Sequence, residues 1–93
     1  MRVTKHEHAC LRLESDGHTL IVDPGSFTAP LAGVTNLVAI ILTHEHADHW
    51  SHEHLSALLA INPDAPIFAP AGVAHAASEF TITVVSPGET VTV

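Results

Sequence analysis

The sequence predicts an α/β fold, because segments patterned like β-strands take turns with segments that have helical spacing. Three segments carry this prediction: a hairpin-like stretch over residues 10–22, the apolar run LVAIIL at residues 37–42, and a leucine-patterned stretch over residues 51–61. At 93 residues the chain is at most one small domain. A chain of that size buries only about 60–65% of its extended surface, so we expect a modest core.

The first predicted element is a hairpin. Arg12 and Glu14 alternate with leucines in ACLRLES, and HTLIV supplies the returning strand. The pair Asp16-Gly17 between them favours a tight turn. The next element is LVAIIL, which is short, rich in β-branched residues and apolar at every position. Such a run is typical of a strand buried on both faces, so we expect it at the centre of the sheet.

A helix is predicted over residues 51–61. Leu55, Leu58 and Leu59 recur at helical spacing, Ser51 is a suitable N-cap, and NPDAP ends the segment. Beyond it, PIFAP indicates a short strand, AGVAHAASE a short helix and FTITVV another strand. The sequence closes with SPGE, which predicts a turn, and TVTV, which predicts a final strand.

Composition excludes several kinds of partner. Three basic and ten acidic residues give a formal charge of −7, which repels phosphate backbones and anionic lipids, so we expect neither a nucleic-acid nor a membrane partner. The longest apolar run, residues 37–42, is far shorter than the ~20 residues of a membrane-spanning helix. The single cysteine, Cys10, cannot form an internal disulfide. These features predict a cytoplasmic protein.

Histidine is the compositional anomaly, with nine copies, six of them between residues 44 and 75. The segment THEHADHW, residues 43–50, holds three histidines and two acids. If His44 and His46 extend the preceding strand, they point to one side and can bind one ion. Asp48 and His49, at the turn into the helix, then face a second position a few ångströms away. The four donors would serve two adjacent cations.

The alternative is a solvated loop whose histidines have no function. Clustered imidazoles repel one another when they become cationic near their ordinary pKa of ~6.5, whereas a metal ion requires their neutral form. The clustering therefore favours a metal site. We expect two divalent ions, with zinc first and manganese or iron as alternatives.

THEHADHW after an apolar strand resembles the H-x-H-x-D-H motif of the metallo-β-lactamase superfamily. HACLRLESDGHTLIVDPG is similar to the N-terminal hairpin of its L-ascorbate-6-phosphate-lactonase-like branch. The resemblance covers nearly all of the chain. It implies that His44 and His46 bind the first metal, and that Asp48 and His49 bind the second. Asp23 matches a buried aspartate that braces the histidine loop by hydrogen bonds; a plain turn residue before Pro24 is the alternative.

The resemblance also implies an activity and a fold. A hydroxide held between two cations would attack an ester, lactone, amide or phosphodiester of a small molecule, with Asp48 orienting or deprotonating the nucleophile. Residues 1–93 would form the N-terminal half of an αββα sandwich, a mixed sheet with helices on one face, in a truncated domain. The later histidines and aspartate that complete both metal sites in the family have no match here, and catalytic zinc usually has three protein ligands.

Three arrangements would explain a half-length chain: a shortened protein, a split protein completed by a second chain, or a natural half that self-associates. LVAIIL would leave one apolar face bare without a second sheet, so we expect a homodimer or a completing second chain. The alternative to a hydrolase is a non-catalytic metal-binding or self-association module.

The remaining histidines are expected at the surface, including His52 and His54 in the first helical turn. His8 is the exception, because the resemblance implies that its side chain could lie close to the metals. Cys10 is expected to be a small buried hydrophobe, and Trp50 to pack against the core.

Overall fold

The computed structural model describes residues 1–93 and contains six strands and two helices. In chain order the elements are β1 (Arg2–Lys5), β2 (Leu11–Ser15), β3 (His18–Val22), β4 (Leu37–Ile41), α1 (His52–Ile61), β5 (Ile67–Ala69), α2 (Ala71–Ala76) and β6 (Ile82–Val84). The strands form one sheet in which strand order follows chain order. The pairs from β1 to β3 are antiparallel and those from β3 to β6 are parallel. This mixed sheet confirms the predicted α/β class.

One face of the sheet carries the core. Ile21, Ile40 and Ile67 are direct neighbours across β3, β4 and β5, and all three are almost completely buried. Leu55 of α1 and Val73 of α2 belong to the same buried cluster. Both helices therefore cover this face, as β-α-β connections of a single hand require. Neither helix reaches the length and hydrophobicity that crossing a lipid bilayer requires.

The opposite face is apolar but only partly covered. Leu11, Val22, Ile41 and Phe68 are neighbours across β2 to β5, and each remains half-buried. The segment after β6 lies against part of this face, because Val91 lines a shallow hollow together with Ile41 and Phe68. The prediction that LVAIIL is buried on both faces is therefore only partly right.

Hydrogen bonds fix both ends of α1. At its start, the Ser51 hydroxyl oxygen accepts from the backbone N–H of His54 at 3.1 Å, which confirms the predicted N-cap. At its end, the Asn62 amide donates to the carbonyls of Val34 and Leu58 at 2.9 and 3.0 Å. The Asn62 carbonyl oxygen also accepts from the Leu37 N–H at 3.2 Å. One side chain thus joins the end of α1 to the beginning of β4.

Three features differ from the sequence-based expectation. β1 was not predicted, because three of its four residues are exposed and no alternation marks it. TVTV forms no strand, so that prediction was wrong: β-propensity needs a partner strand, and these residues have none. Strand β4 ends at Ile41, so His44 and His46 lie in a loop instead of extending the strand.

Candidate metal centre

The donor-rich segment, residues 43–50, follows β4 and leads into α1. Strand β3 is parallel to β4, so its carboxyl end meets the same edge of the sheet. Asp23 and the loop after it therefore lie beside the donor-rich segment. We call residues 43–50 the histidine loop and residues 23–29 the bracing loop.

Asp23 is the main side-chain contact between the two loops. It is only 4% exposed and has a φ of 49°, a left-handed conformation that aspartate tolerates better than most residues. Its Oδ1 accepts from the Thr43 N–H at 2.7 Å. Its Oδ2 accepts from the Thr43 hydroxyl and lies 2.9 Å from Nδ1 of His49. The carboxylate thus binds the start and the end of the histidine loop.

The Asp23 contact also determines which ring nitrogen of His49 is free. A carboxylate only accepts hydrogen bonds, so Nδ1 of His49 carries the donated proton and Nε2 keeps its lone pair. Metal-binding histidines in proteins almost always donate their second nitrogen to a carboxylate, carbonyl or water in this way. His49 is therefore held in the tautomer that a cation requires.

A backbone contact forms the second brace. A Cβ atom on Gly25 would lie only 2.0 Å from the carbonyl oxygen of Asp48, a separation that no side chain permits. The Ser26 N–H donates to the Ala47 carbonyl at 2.8 Å beside it. Gly25 lets the two loops pack backbone to backbone, and this contact positions Asp48 and His49.

Asp48 lies at the centre of a three-residue group. Its Oδ2 is 2.8 Å from Nε2 of His8 and 3.6 Å from Nε2 of His49. The ligand atoms of His8, Asp48 and His49 all lie within 4.8 Å of one another. The hydrogen bond from His8 holds the pKa of the Asp48 carboxyl below its usual value, and the nearby His49 ring lowers this pKa further.

The other two predicted ligands form a neighbouring pair. Nε2 of His44 lies 2.9 Å from Nδ1 of His46, and the two ring centroids are 4.3 Å apart. The His44 ring also lies edge-to-face with His49 at 5.2 Å. The four residues predicted from the motif thus form one continuous group, but only Asp48 and His49 join the tight cluster with His8.

Two further side chains brace the site. The expectation that His54 faces solvent is wrong: its Nε2 lies 2.8 Å from the Thr28 carbonyl oxygen, which ties α1 to the bracing loop. The indole N–H of Trp50 donates to the Glu45 carbonyl at 2.8 Å, across the histidine loop, and its ring packs against the core as expected. The exposed His52 lies against Phe80.

The donors present suit a divalent cation. The histidine loop offers three imidazoles and the Asp48 carboxylate, and His8 adds another imidazole. Mixed nitrogen and oxygen donors of this kind are typical ligands of zinc, and imidazole also binds iron while carboxylate also binds manganese. The fixed tautomer of His49 also favours a cation site. So does the close packing of Gly25 on the Asp48 backbone, which positions Asp48 and His49.

Comparison with known proteins agrees with this chemistry. A family model described as "Beta-lactamase superfamily domain" matches residues 2–93. "Protein Rv0786c" of Mycobacterium tuberculosis is 41% identical over 69 residues, which cover 74% of this chain and 32% of that protein. A "UPF0173 metal-dependent hydrolase" of Geobacillus thermodenitrificans is 38% identical over 53 residues, covering 53% and 24% of the two chains.

A protein of the same name from Anoxybacillus flavithermus is 32% identical over 74 residues, covering 75% of this chain and 32% of that protein. The chain therefore spans about a third of the length of the curated relatives that it matches. No solved structure matches.

Proposed function

The chain belongs to the beta-lactamase superfamily, and we propose that it supplies the metal-binding part of a metal-dependent hydrolase. The observation that carries this proposal is the hydrogen bond between Asp23 and His49 at 2.9 Å, which leaves Nε2 of His49 free beside the Asp48 carboxylate. Relatives named as metal-dependent hydrolases support the same activity.

In this proposal two divalent ions bind at the histidine loop. His44 and His46 hold the first, and Asp48 and His49 hold the second. Zinc is the expected metal, with manganese or iron as alternatives. When bound, such cations lower the pKa of water into the neutral range and polarise a carbonyl or phosphoryl oxygen.

The chain's own residues then orient the reaction. Oδ2 of Asp48 is held by His8, so its other oxygen is the one that can accept a proton from the attacking group. Asp23 keeps His49 in one tautomer, and Gly25 keeps the Asp48 backbone in place. The proposed substrate is a small molecule with an ester, lactone, amide or phosphodiester bond, as in the L-ascorbate-6-phosphate-lactonase-like branch. A free, buried Cys10 fits a cytoplasmic location.

The decisive experiment measures metal content and hydrolysis together. The chain should bind divalent metal, and chelation should remove any activity toward a panel of aryl esters, lactones and phosphodiesters. His44→Ala and His49→Ala should lower the metal content, whereas His75→Ala, at an exposed position of α2, should not. A chain that takes up no zinc, manganese or iron would refute the proposal.

A second candidate function is self-association. We call the sheet face opposite the helices the open face. It carries the half-buried side chains of Leu11, Val22, Ile41 and Phe68. Exposed valines adjoin them, among them Val3 and Val93. In an αββα sandwich a second sheet would cover this face. A second copy of the chain, or a different chain that completes the domain, would bury it in the same way.

A further inference from the structure

We infer that His8 is a third ligand of the cation held by Asp48 and His49, so that one metal position is built from this chain's own residues. This inference rests on the proposed metal site but adds a donor that lies outside the H-x-H-x-D-H motif. It turns a two-donor position into one with the three protein ligands typical of catalytic zinc.

The distances support ligation. Ligands at about 2.1 Å from a tetrahedral ion lie roughly 3.4 Å from one another. Nε2 of His49 is 3.6 Å from Oδ2 of Asp48, which already matches that separation. Nε2 of His8 is 2.8 Å from the same oxygen. In this hydrogen bond Nε2 of His8 is the donor, because a carboxylate only accepts. Ligation therefore requires the ring proton to be carried on Nδ1, so that Nε2 offers its lone pair to the cation. A shift of roughly 0.6 Å would then bring Nε2 of His8 and Oδ2 of Asp48 to the separation of two ligands on one ion.

His8 is held in position by its surroundings. It lies in a turn with a φ of 59°, a left-handed conformation that histidine adopts more readily than most residues other than glycine. Its ring packs edge-to-face on Phe27, with centroids 5.2 Å apart. The preceding residue, Glu7, accepts from the Thr28 hydroxyl at 3.0 Å through its backbone carbonyl and from the Ala29 N–H at 3.2 Å through its carboxylate.

The bracing loop therefore fixes both sides of the site. It anchors the turn that carries His8, and it contacts the Asp48 and His49 backbone through Gly25. An exposed pair of one histidine and one aspartate contributes little to stability by itself. A histidine anchored by the same loop that places two ligands is better explained by a role at the cation.

The test isolates this position from the neighbouring one. In the double variant His44→Ala/His46→Ala, the remaining clustered donors are His8, Asp48 and His49. This variant should still bind one zinc ion per chain in calorimetry. Adding His8→Asn should weaken zinc binding by about tenfold or more. Asparagine tolerates the left-handed conformation, so the backbone is preserved, and circular dichroism would verify the fold.

X-ray absorption at the zinc edge separates a ligand from a hydrogen-bond partner. The double variant should show two imidazole nitrogens on zinc, and the His8→Asn triple variant should show one. His18→Asn, at the far end of β3, is the matched control and should leave both readouts unchanged.

Equal affinity and an unchanged imidazole count after His8→Asn would overturn the inference while leaving the proposed function intact. An unchanged imidazole count with weaker binding would also overturn it, because His8 would then act only through Asp48. A wild-type chain that binds no metal would refute both.

Discussion

Nδ1 of His49 lies 2.9 Å from Oδ2 of Asp23, a carboxylate that is 4% exposed. The same oxygen accepts from the Thr43 hydroxyl, so the buried aspartate links both ends of the histidine loop. A substitution of Asp23 should therefore show how strongly metal binding at the histidine loop depends on these hydrogen bonds.

Asp23→Asn should lower zinc affinity by about 10–100-fold, as for other partners of metal-binding histidines. The amide keeps the shape and tolerates the left-handed backbone, but it cannot accept all three hydrogen bonds that the carboxylate accepts. Calorimetric titration with zinc measures the loss. Asp16→Asn is the control, since Asp16 has a similar φ of 52° in the exposed hairpin turn and should not change binding. Wild-type affinity in Asp23→Asn would contradict the bracing role.

Gly25→Ala should destabilise the fold and disturb the metal site together. The added methyl would lie 2.0 Å from the Asp48 carbonyl oxygen, so the two loops must separate. Overpacking of this kind costs about 1–3 kcal/mol, occasionally more. Urea unfolding measures the stability, and zinc titration measures the site.

Gly33→Ala is the matched control for Gly25. Gly33 has a φ of 67° and open space around it, so alanine there meets only backbone strain, about 1–2 kcal/mol. It should lower stability without changing zinc affinity. Identical effects of both variants on zinc binding would show that the loop contact at Gly25 is not specific.

The sequence predicted the elements whose signals are local. The Asp16-Gly17 hairpin, the LVAIIL strand and the Ser51 cap each depend on residues close in the chain, and the structure has all three. The ends of the strands were less predictable. TVTV has the alternation of a strand, but alternation does not reveal whether a partner strand is within reach.

The prediction of the site was limited in the same way, because it relied on residues that are close in sequence. Spacing alone grouped the residues of the histidine loop, because they are neighbours in sequence. The positions of His8 and His54 depend on contacts with Asp48 and Thr28 that span 40 and 26 residues. No periodicity in the sequence distinguishes the half-buried His54 from the exposed His52, because the carbonyl that binds His54 belongs to a distant loop.

Ser51→Ala should reduce the free energy of unfolding by about 1 kcal/mol through loss of the N-cap. The Ser51 hydroxyl oxygen accepts from the His54 N–H at 3.1 Å, and alanine offers no acceptor. Chemical denaturation followed by circular dichroism measures the change. Ser56→Ala, in the middle of α1, is the control and should be neutral or slightly stabilising, because alanine is the better helix former. Equal losses in both variants would exclude a capping role.

Cys10 should not react with Ellman's reagent while the protein is folded. It is completely buried, and burial raises the pKa of its thiol to about 11, so little of the reactive thiolate forms at neutral pH. The thiol should react only at the rate of unfolding. Ser78→Cys adds an exposed thiol after α2 and should give one fast and one slow phase. Fast labelling of both thiols would show that the segment around Cys10, just before β2, opens readily.

Val3→Lys should weaken self-association of the chain. Val3 is 59% exposed and pairs with Leu13 on the open face of the sheet, so a lysine there introduces charge without disturbing the core. Ile61→Lys is the control, because Ile61 is similarly exposed at 53% but lies at the end of α1. Sedimentation at micromolar concentration should show a dimer for wild type and Ile61→Lys, and a larger monomer fraction for Val3→Lys. A wild-type monomer would exclude this interface.

The agreement between strand order and chain order has a kinetic consequence. Each strand pairs with the segment that immediately precedes or follows it, so its partner is available as soon as it has been synthesised. The antiparallel pairs from β1 to β3 close over short connections and should form early, whereas the parallel pairs from β3 to β6 join strands that are far apart in the chain and should form more slowly. The side-chain contacts that brace the histidine loop join Asp23 to His49, His8 to Asp48, and His54 to Thr28. These contacts span 26 to 40 residues, and Asp23 and the histidine loop meet at the paired ends of β3 and β4. The donors should therefore adopt their arrangement only after this parallel pair has formed.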